Sequence, residues 1–370
     1  MKLLTVLHRW AGGLVGLFLA ILGFSGAILV WEGEWIGLPG SDEVVRIDVG
    51  EMAKAIEVAA SLSGELSRIT FASEELGLHQ AIYTDGSGAY LSQSGEIVDS
   101  WTSTWGRPEL WLFDLHHYLF AGETGKFLTG LLGIAGFFFV LSGLILWWRT
   151  RRTFVFRLWP ARMTRSAIVR HHKDLGVVSA PFLLLSFATG AAMVFPAQVE
   201  ALLAPWSSAS QPERVLHKPK ATRPQSPWES VLEEAGQRFP NAELRRLQFP
   251  SAPEAPLVLR MRQPFEWTPN GLTYLRFSPI DARLLEIENP ARSAAAQTLQ
   301  EKFYPLHSGK VGGWAWKFAL TLSGLALGLL GSLAVFSFWL RKPPRPTASA
   351  KSQSLPTSSR SDPVSTPRNL

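Results

Sequence analysis

Six of the eight histidines in the sequence stand at the approach to a long apolar run: His8, His116, His117, His171, His172 and His307. A polar ring at the edge of hydrocarbon is costly unless something there uses it, so the recurrence points to ligation. The spacing also repeats. HRWAGGLVGLFLAILGFSGA from His8 aligns with HKDLGVVSAPFLLLSFATGA from His172, each with a basic residue next, Gly four residues on and a Ser/Thr-Gly pair seventeen and eighteen residues on. LHHYLFAGETGK from Leu115 and LHSGKVGGWAWK from Leu306 share a Leu-His start and a tryptophan thirty-two residues after the histidine, Trp148 and Trp339. His79 and His217 lie outside the pattern and read as ordinary residues of the intervening segments.

What could such histidines hold? The chain has no cysteine. That excludes disulfides, thiolate-held iron–sulfur clusters, zinc ribbons and C-x-x-C-H haem attachment. Two imidazoles alone make an incomplete tetrahedral metal site, and the apolar runs offer no Cys, Asp or Glu to complete it. A haem brings four nitrogens of its own and needs only two axial ligands. The expected pairs are His8 with His172 and His116 with His307, one pair near each membrane face, giving two b-type haems. His117 and His171 are the alternatives within their doublets, since neighbours on a helix point about 100° apart and cannot share one iron. Gly12 and Gly16 share a helix face with His8, as Gly176 and Ala180 do with His172, and small residues there leave room for a flat macrocycle. Arg9 and Lys173 stand next to the expected ligands. They could pair with haem propionates or serve only as topology anchors.

The elements that position these residues are four apolar runs near 11–31, 127–148, 176–195 and 315–339, each long enough to cross a hydrocarbon core of roughly 30 Å. The first ends in Trp31, Glu32 and Trp35 without a small-residue cleavage site, so it reads as a retained helix and not as a signal peptide. Residues 149–174 carry eight Lys/Arg against one Asp, and the tail from Arg341 carries six basic residues against Asp362. The positive-inside rule then puts both termini in the cytoplasm. The net charge of +6 is therefore a topology signal, and nucleic acid is not an expected partner.

The expected organisation is a span over 1–31, an external α/β lobe over 32–112, a short outer helix plus span over 113–148, and a basic cytoplasmic loop over 149–171. A third span over 172–195 follows, then a second lobe over 196–305, a fourth span over 306–341 and a disordered cytoplasmic tail over 342–370. Thirty-two residues from His116 to Trp148 would make a straight helix of about 48 Å, longer than a bilayer, so a break is expected at AGETG. In the first lobe EMAKAIEVAASL has helical periodicity, and LSRITFA, HQAIYTD and GAYLSQSGEIV alternate as strands do. The second lobe repeats that order with PWESVLEEAGQRF, AELRRLQF, APLVLRMRQ, GLTYLRFSP and IDARLLEIE. Trp101, Trp105 and Trp111 read as an interfacial belt, with a docking surface as the alternative.

LHRWAGGLVGLFLAILGFSGAIL, LHHYLFAGETGKFLTGLLG, HHKDLGVVSAPFLLLSFATGA and PLHSGKVGG together resemble the PepSY-associated transmembrane family, over about 1–340. The resemblance implies a membrane protein with a four-transmembrane-helix bundle and two periplasmic PepSY-like lobes. It also implies two b-type haems held by His8, His116, His172 and His307, and electron delivery to a ferric-siderophore in the periplasm. No dinucleotide-binding loop is present, so a quinol or a separate cytoplasmic reductase would supply the electrons. Two rivals remain: a haem-free membrane-anchored module that binds a periplasmic protease or peptide, and a siderophore or metal-ion importer. The spans lack the broken helices or buried carboxylates of a transport path.

Overall fold

A computed structural model describes residues 1–206, 213–214 and 227–339; the tail assigned to 342–370 and His217 lie outside the described residues. Four helices are long and apolar enough to cross a membrane: α1 (Lys2–Leu29), α5 (Gly122–Trp148), α6 (Arg165–Val194) and α11 (Gly313–Trp339). Shorter helices connect them to a sheet domain: α2 (Glu32–Trp35), α3 (Val49–Ser61), α4 (Pro108–Tyr118), α7 (Pro196–Leu203), α8 (Pro227–Arg238), α9 (Ala295–Glu301) and α10 (Phe303–Ser308).

Lipid removes the hydrophobic drive between apolar helices, so close backbone approach must hold the bundle. Glycines supply it between α1 and α11. A Cβ on Gly331 would sit 2.3 Å from the carbonyl oxygen of Gly16, and one on Gly23 would sit 2.6 Å from that of Gly324. Between α5 and α6, Gly133 and Gly136 receive Ala191 and Phe187.

The strands are β1 (Leu66–Thr70), β2 (His79–Tyr83), β3 (Gly88–Leu91), β4 (Ile97–Trp101), β5 (Glu213–Arg214), β6 (Glu243–Gln248), β7 (Leu257–Arg262), β8 (Thr273–Phe277) and β9 (Leu284–Glu288). They form one antiparallel sheet in the order β4-β3-β2-β1-β6-β7-β8-β9-β5. Two separate lobes were the expectation, and here the structure corrects it. The lobes join edge to edge through β1 and β6, where Ile69 pairs with Leu247 and Thr70 with Arg246. Each half alone would leave a bare strand edge, and pairing the two edges satisfies both. One face of the sheet buries Ile69, Leu247, Leu259 and Leu275 under Ile56 of α3 and Leu232 of α8, in a core shared by both halves. Each such side chain contributes about 1.5–3 kcal/mol. The opposite face looks toward α4 and the bundle, with Tyr90, Leu76 and Ile82 packed against Leu110.

The helix carrying His116 is distinct from the span that follows. It ends at Tyr118, and Leu119 and Phe120 adopt positive φ of 47° and 58° before Gly122 opens α5. Gly125 is required at this corner, because a Cβ there would overlap the carbonyl of Tyr118. Trp101 is not part of a belt: it is 5% exposed, packed on Tyr90 in the sheet. Trp105 is 65% exposed.

Candidate functional site: two paired-histidine cavities

Two cavities among the described residues lie at different depths of the bundle. The one far from the sheet, about 280 Å³, is lined by His8, His172, Arg9 and Lys173. The one beneath the sheet, about 260 Å³, is lined by His116, His117, His307, Lys126, Lys310 and Glu32. Leu183, Phe187 and Leu327 line both, so a partition one side chain thick separates them.

In the distal cavity the rings of His8 and His172 have centres 6.2 Å apart. In the proximal cavity His116 and His307 are also 6.2 Å apart. An imidazole nitrogen binds a first-row metal at about 2 Å and lies about 1.2 Å from its ring centre, so two rings opposed across one iron have centres about 6.4 Å apart. Both pairs are spaced to that dimension.

Hydrogen bonds fix which nitrogen is free. Ser142 Oγ lies 2.8 Å from His8 Nδ1 and gives its own proton to the Phe139 carbonyl, so it accepts from the ring. Ser25 Oγ, 2.9 Å from His116 Nδ1, donates to the Ile21 carbonyl in the same way. The His307 Nδ1 donates to the Ser186 carbonyl at 3.0 Å and lies 3.1 Å from Thr189 Oγ1. Three imidazoles thus carry their proton on Nδ1 and keep a bare Nε2, the arrangement a metal-ligating histidine requires. The Nδ1 of His172 is buried without a hydrogen-bond partner.

Ser25-Gly26 and Thr189-Gly190 are the pairs that repeat seventeen and eighteen residues after His8 and His172. The hydroxyl holds the ring of the other helix, and the glycine lets it in: a Cβ on Gly26 or Gly190 would sit 2.9 Å from Cε1 of His116 or His307. At 1.5 Å per residue these contacts lie roughly 26 Å along α1 and α6 from His8 and His172. Ser142-Gly143 beside His8 is the same pair on α5, with Gly143 3.6 Å from the ring by the same construction. Sequence reasoning registered the first two pairs only as marks of the repeat. It missed Ser142, and it missed Lys126, Lys310 and Glu32 at the proximal mouth.

Within the doublets the two partners separate. His171 is buried and donates Nε2–H to the Leu158 carbonyl at 3.1 Å, tying down the loop before α6 and facing away from the cavity. His117 lines the proximal cavity but stacks on Phe113 at 4.1 Å. Gly12 and Gly176 line the distal cavity, and a Cβ on either would meet nothing within 4 Å. Their smallness therefore serves the cavity and not helix packing. Gly16 also lines it but packs on Gly331, while Ala180 is buried between helices. Among the described residues no group of three or more His, Asp, Glu or Cys is placed to hold a bare metal ion. Two imidazole pairs, three of whose four rings keep a bare Nε2, and a glycine cradle that side chains would fill, fit a planar macrocycle that completes the coordination itself.

An uncharacterized protein of Pseudomonas aeruginosa is 35% identical over 106 residues, 28% of this chain and 26% of that protein. The chain thus spans about a quarter of the length of this relative. Residues 5–342 match the PepSY-associated TM region family. With four apolar spans, a sheet domain and a match over nearly its whole length, the chain belongs to the PepSY-associated TM region family of membrane proteins.

Proposed function

We propose that this protein is a two-haem electron carrier of the bacterial inner membrane. It passes electrons from a quinol or a cytoplasmic reductase to ferric iron held by a siderophore in the periplasm. The observation that carries this reading is the pair of 6.2 Å imidazole spacings at two depths of one bundle. His8 and His172 would hold one haem and His116 and His307 the other. Haem bound at these positions supplies a one-electron couple at each level.

The chain's own residues bind, orient and insulate. Ser142, Ser25, Thr189 and the Ser186 carbonyl hold three rings in the ligating tautomer. Leu183, Phe187 and Leu327 keep water out of the partition and the gap between the sites short. Arg9 and Lys173 line the distal cavity and would be the cations to pair with haem propionates there; at the proximal cavity Lys126 and Lys310 are held by Glu123 and Glu75. The clusters of Lys/Arg at 149–173 and beyond Arg341 support termini in the cytoplasm and a periplasmic sheet domain. Iron(II) binds hard oxygen chelators less well than iron(III), so one-electron reduction would release it.

The test is the visible spectrum of detergent-purified protein, oxidised and dithionite-reduced, with pyridine haemochrome quantification. Two b-type haems per chain are expected, with one lost on His8→Ala or His172→Ala and the other on His116→Ala or His307→Ala. Colourless protein from haem-replete cells would overturn the reading and favour a haem-free binding module.

A further inference from the structure

Arg68, Arg246 and Arg260 stand on the sheet face that looks toward the bundle. Arg246 pairs directly across β6 and β7 with Arg260, and across β1 with Thr70, two residues from Arg68 on the same strand. Like charges directly opposite on neighbouring strands repel, and a fold keeps them when something anionic belongs between them. No carboxylate among the described residues forms an ion pair with any of the three. Glu286 and Glu288 of β9 are engaged by Arg276 at 3.6 and 3.2 Å, and Glu75 by Lys310 at 2.7 Å. The Nε atoms of Arg68 and Arg260 are buried without a hydrogen-bond partner, while Arg260 Nη2 donates to the Gly271 carbonyl at 2.6 Å and its guanidinium lies over the Tyr274 ring. Arg246 reaches only Thr70 Oγ1 through its own Nε, at 3.0 Å.

Two tyrosines from the histidine-bearing helices complete the surroundings. Tyr118 of α4 lies within electrostatic reach of Arg68, and Tyr304 of α10 within reach of Arg246. Tyr304 also lines the proximal cavity, which links the arginine face to the His116–His307 pair. Burial and the neighbouring guanidiniums pull the pKa of Arg246 down to about 10, which leaves it charged at neutral pH.

We propose that Arg68, Arg246 and Arg260 form a docking site for an anionic chelate of trivalent metal built from carboxylate oxygens, above the His116–His307 cavity. This rests on the electron-delivery reading and narrows it, because three unneutralised guanidiniums select a negatively charged acceptor over a neutral or cationic one. Their forked donors match carboxylate oxygens in pairs.

The test is calorimetric titration of the full-length protein in detergent with gallium(III) citrate, whose metal is not reduced under these conditions and whose binding needs no haem. Arg246→Gln and Arg260→Gln are each expected to weaken binding by about tenfold or more, and Arg246→Lys by less. A cationic gallium trihydroxamate is expected to bind weakly and equally to all four proteins. Unchanged gallium citrate affinity in both Gln variants would overturn the proposal, as would equal binding of citrate alone. A fall in haem content in those variants would also overturn it, by assigning the arginines to propionates. The thermal midpoint should not fall in Arg246→Gln, which removes repulsion; a large fall there would mean a structural role. Protein that carries two haems but does not bind gallium citrate refutes this inference alone. Colourless protein that binds it refutes the electron-transfer reading alone.

Discussion

Gly176→Leu separates what the bundle needs from what the cavity needs. Nothing lies within 4 Å of a Cβ built at Gly176 or at Gly12, although both line the distal cavity. In protein without haem the Cβ of the leucine meets no neighbour, and the helix gains up to about 1 kcal/mol from replacing glycine. A macrocycle entering the same space meets overpacking of about 1–3 kcal/mol, roughly five- to 150-fold in affinity. Expected, then, is an unloaded thermal midpoint no lower than wild type, with haem content falling from two towards one per chain and the His116–His307 site retained. Gly331→Ala is the contrast. Its Cβ would sit 2.3 Å from the backbone oxygen of Gly16, where no side chain can yield. That variant should lose thermal stability and both haems together. Tryptophan-fluorescence melting and pyridine haemochrome on the same samples read both quantities. Two full haems in Gly176→Leu would refute the cradle argument, and so would a melting loss as large as that of Gly331→Ala.

Three further outcomes follow from named contacts. Arg107 holds Glu109, which is fully buried, at 2.7 Å, and Tyr90 donates to the same carboxylate oxygen. Arg107→Ala leaves that carboxylate without its cation and should cost about 3–5 kcal/mol in denaturant unfolding. Because Glu109 lies on α4, the His116–His307 site should loosen before the distal one. Ser142→Ala removes the acceptor for the buried N–H of His8, an orphan worth about 1–3 kcal/mol; haem should be lost selectively from the distal site, as scored by haem retention against a competing apo-protein. His79 is buried in β2, accepts from the Ala72 amide at 2.9 Å, and burial lowers its pKa to about 4. Between about pH 6.5 and 4 the unfolded chain carries this proton and the folded one does not, so stability falls as pH drops through that window and is level above it. The contribution is about 3 kcal/mol. Glu32 and Glu301, both raised to about 7 chiefly by burial, act in the opposite sense between about pH 7 and 4.5. The difference between wild type and His79→Gln in urea unfolding at pH 7 and pH 5 isolates the histidine; equal pH slopes would refute the assignment.

Local pattern and repetition made much of this protein legible in one dimension. Apolar length marks α1, α5, α6 and α11, because a bilayer imposes that length on any helix crossing it. Alternation marks β1, β2 and β6 to β9, because one face of each strand must be buried, whereas the single run GAYLSQSGEIV folds as β3 and the start of β4, and β3 is buried on both faces. The histidine repeat singles out His8, His116, His172 and His307, since a duplicated helix carries its polar residues at matching positions. Pairing across the chain was not legible in that way. Only the packed bundle brings Ser142 to His8, 134 residues away, and Ser25 to His116, 91 residues away, and gives the Ser/Thr-Gly pairs their use. Only the β1–β6 junction merges two lobes into one sheet and brings Arg68 onto the face that carries Arg246 and Arg260. Periodicity reports which face of a single element is buried. Which elements share that burial is decided by strand edges, glycine contacts and hydrogen bonds between residues far apart in sequence, and these exist only once the chain has folded.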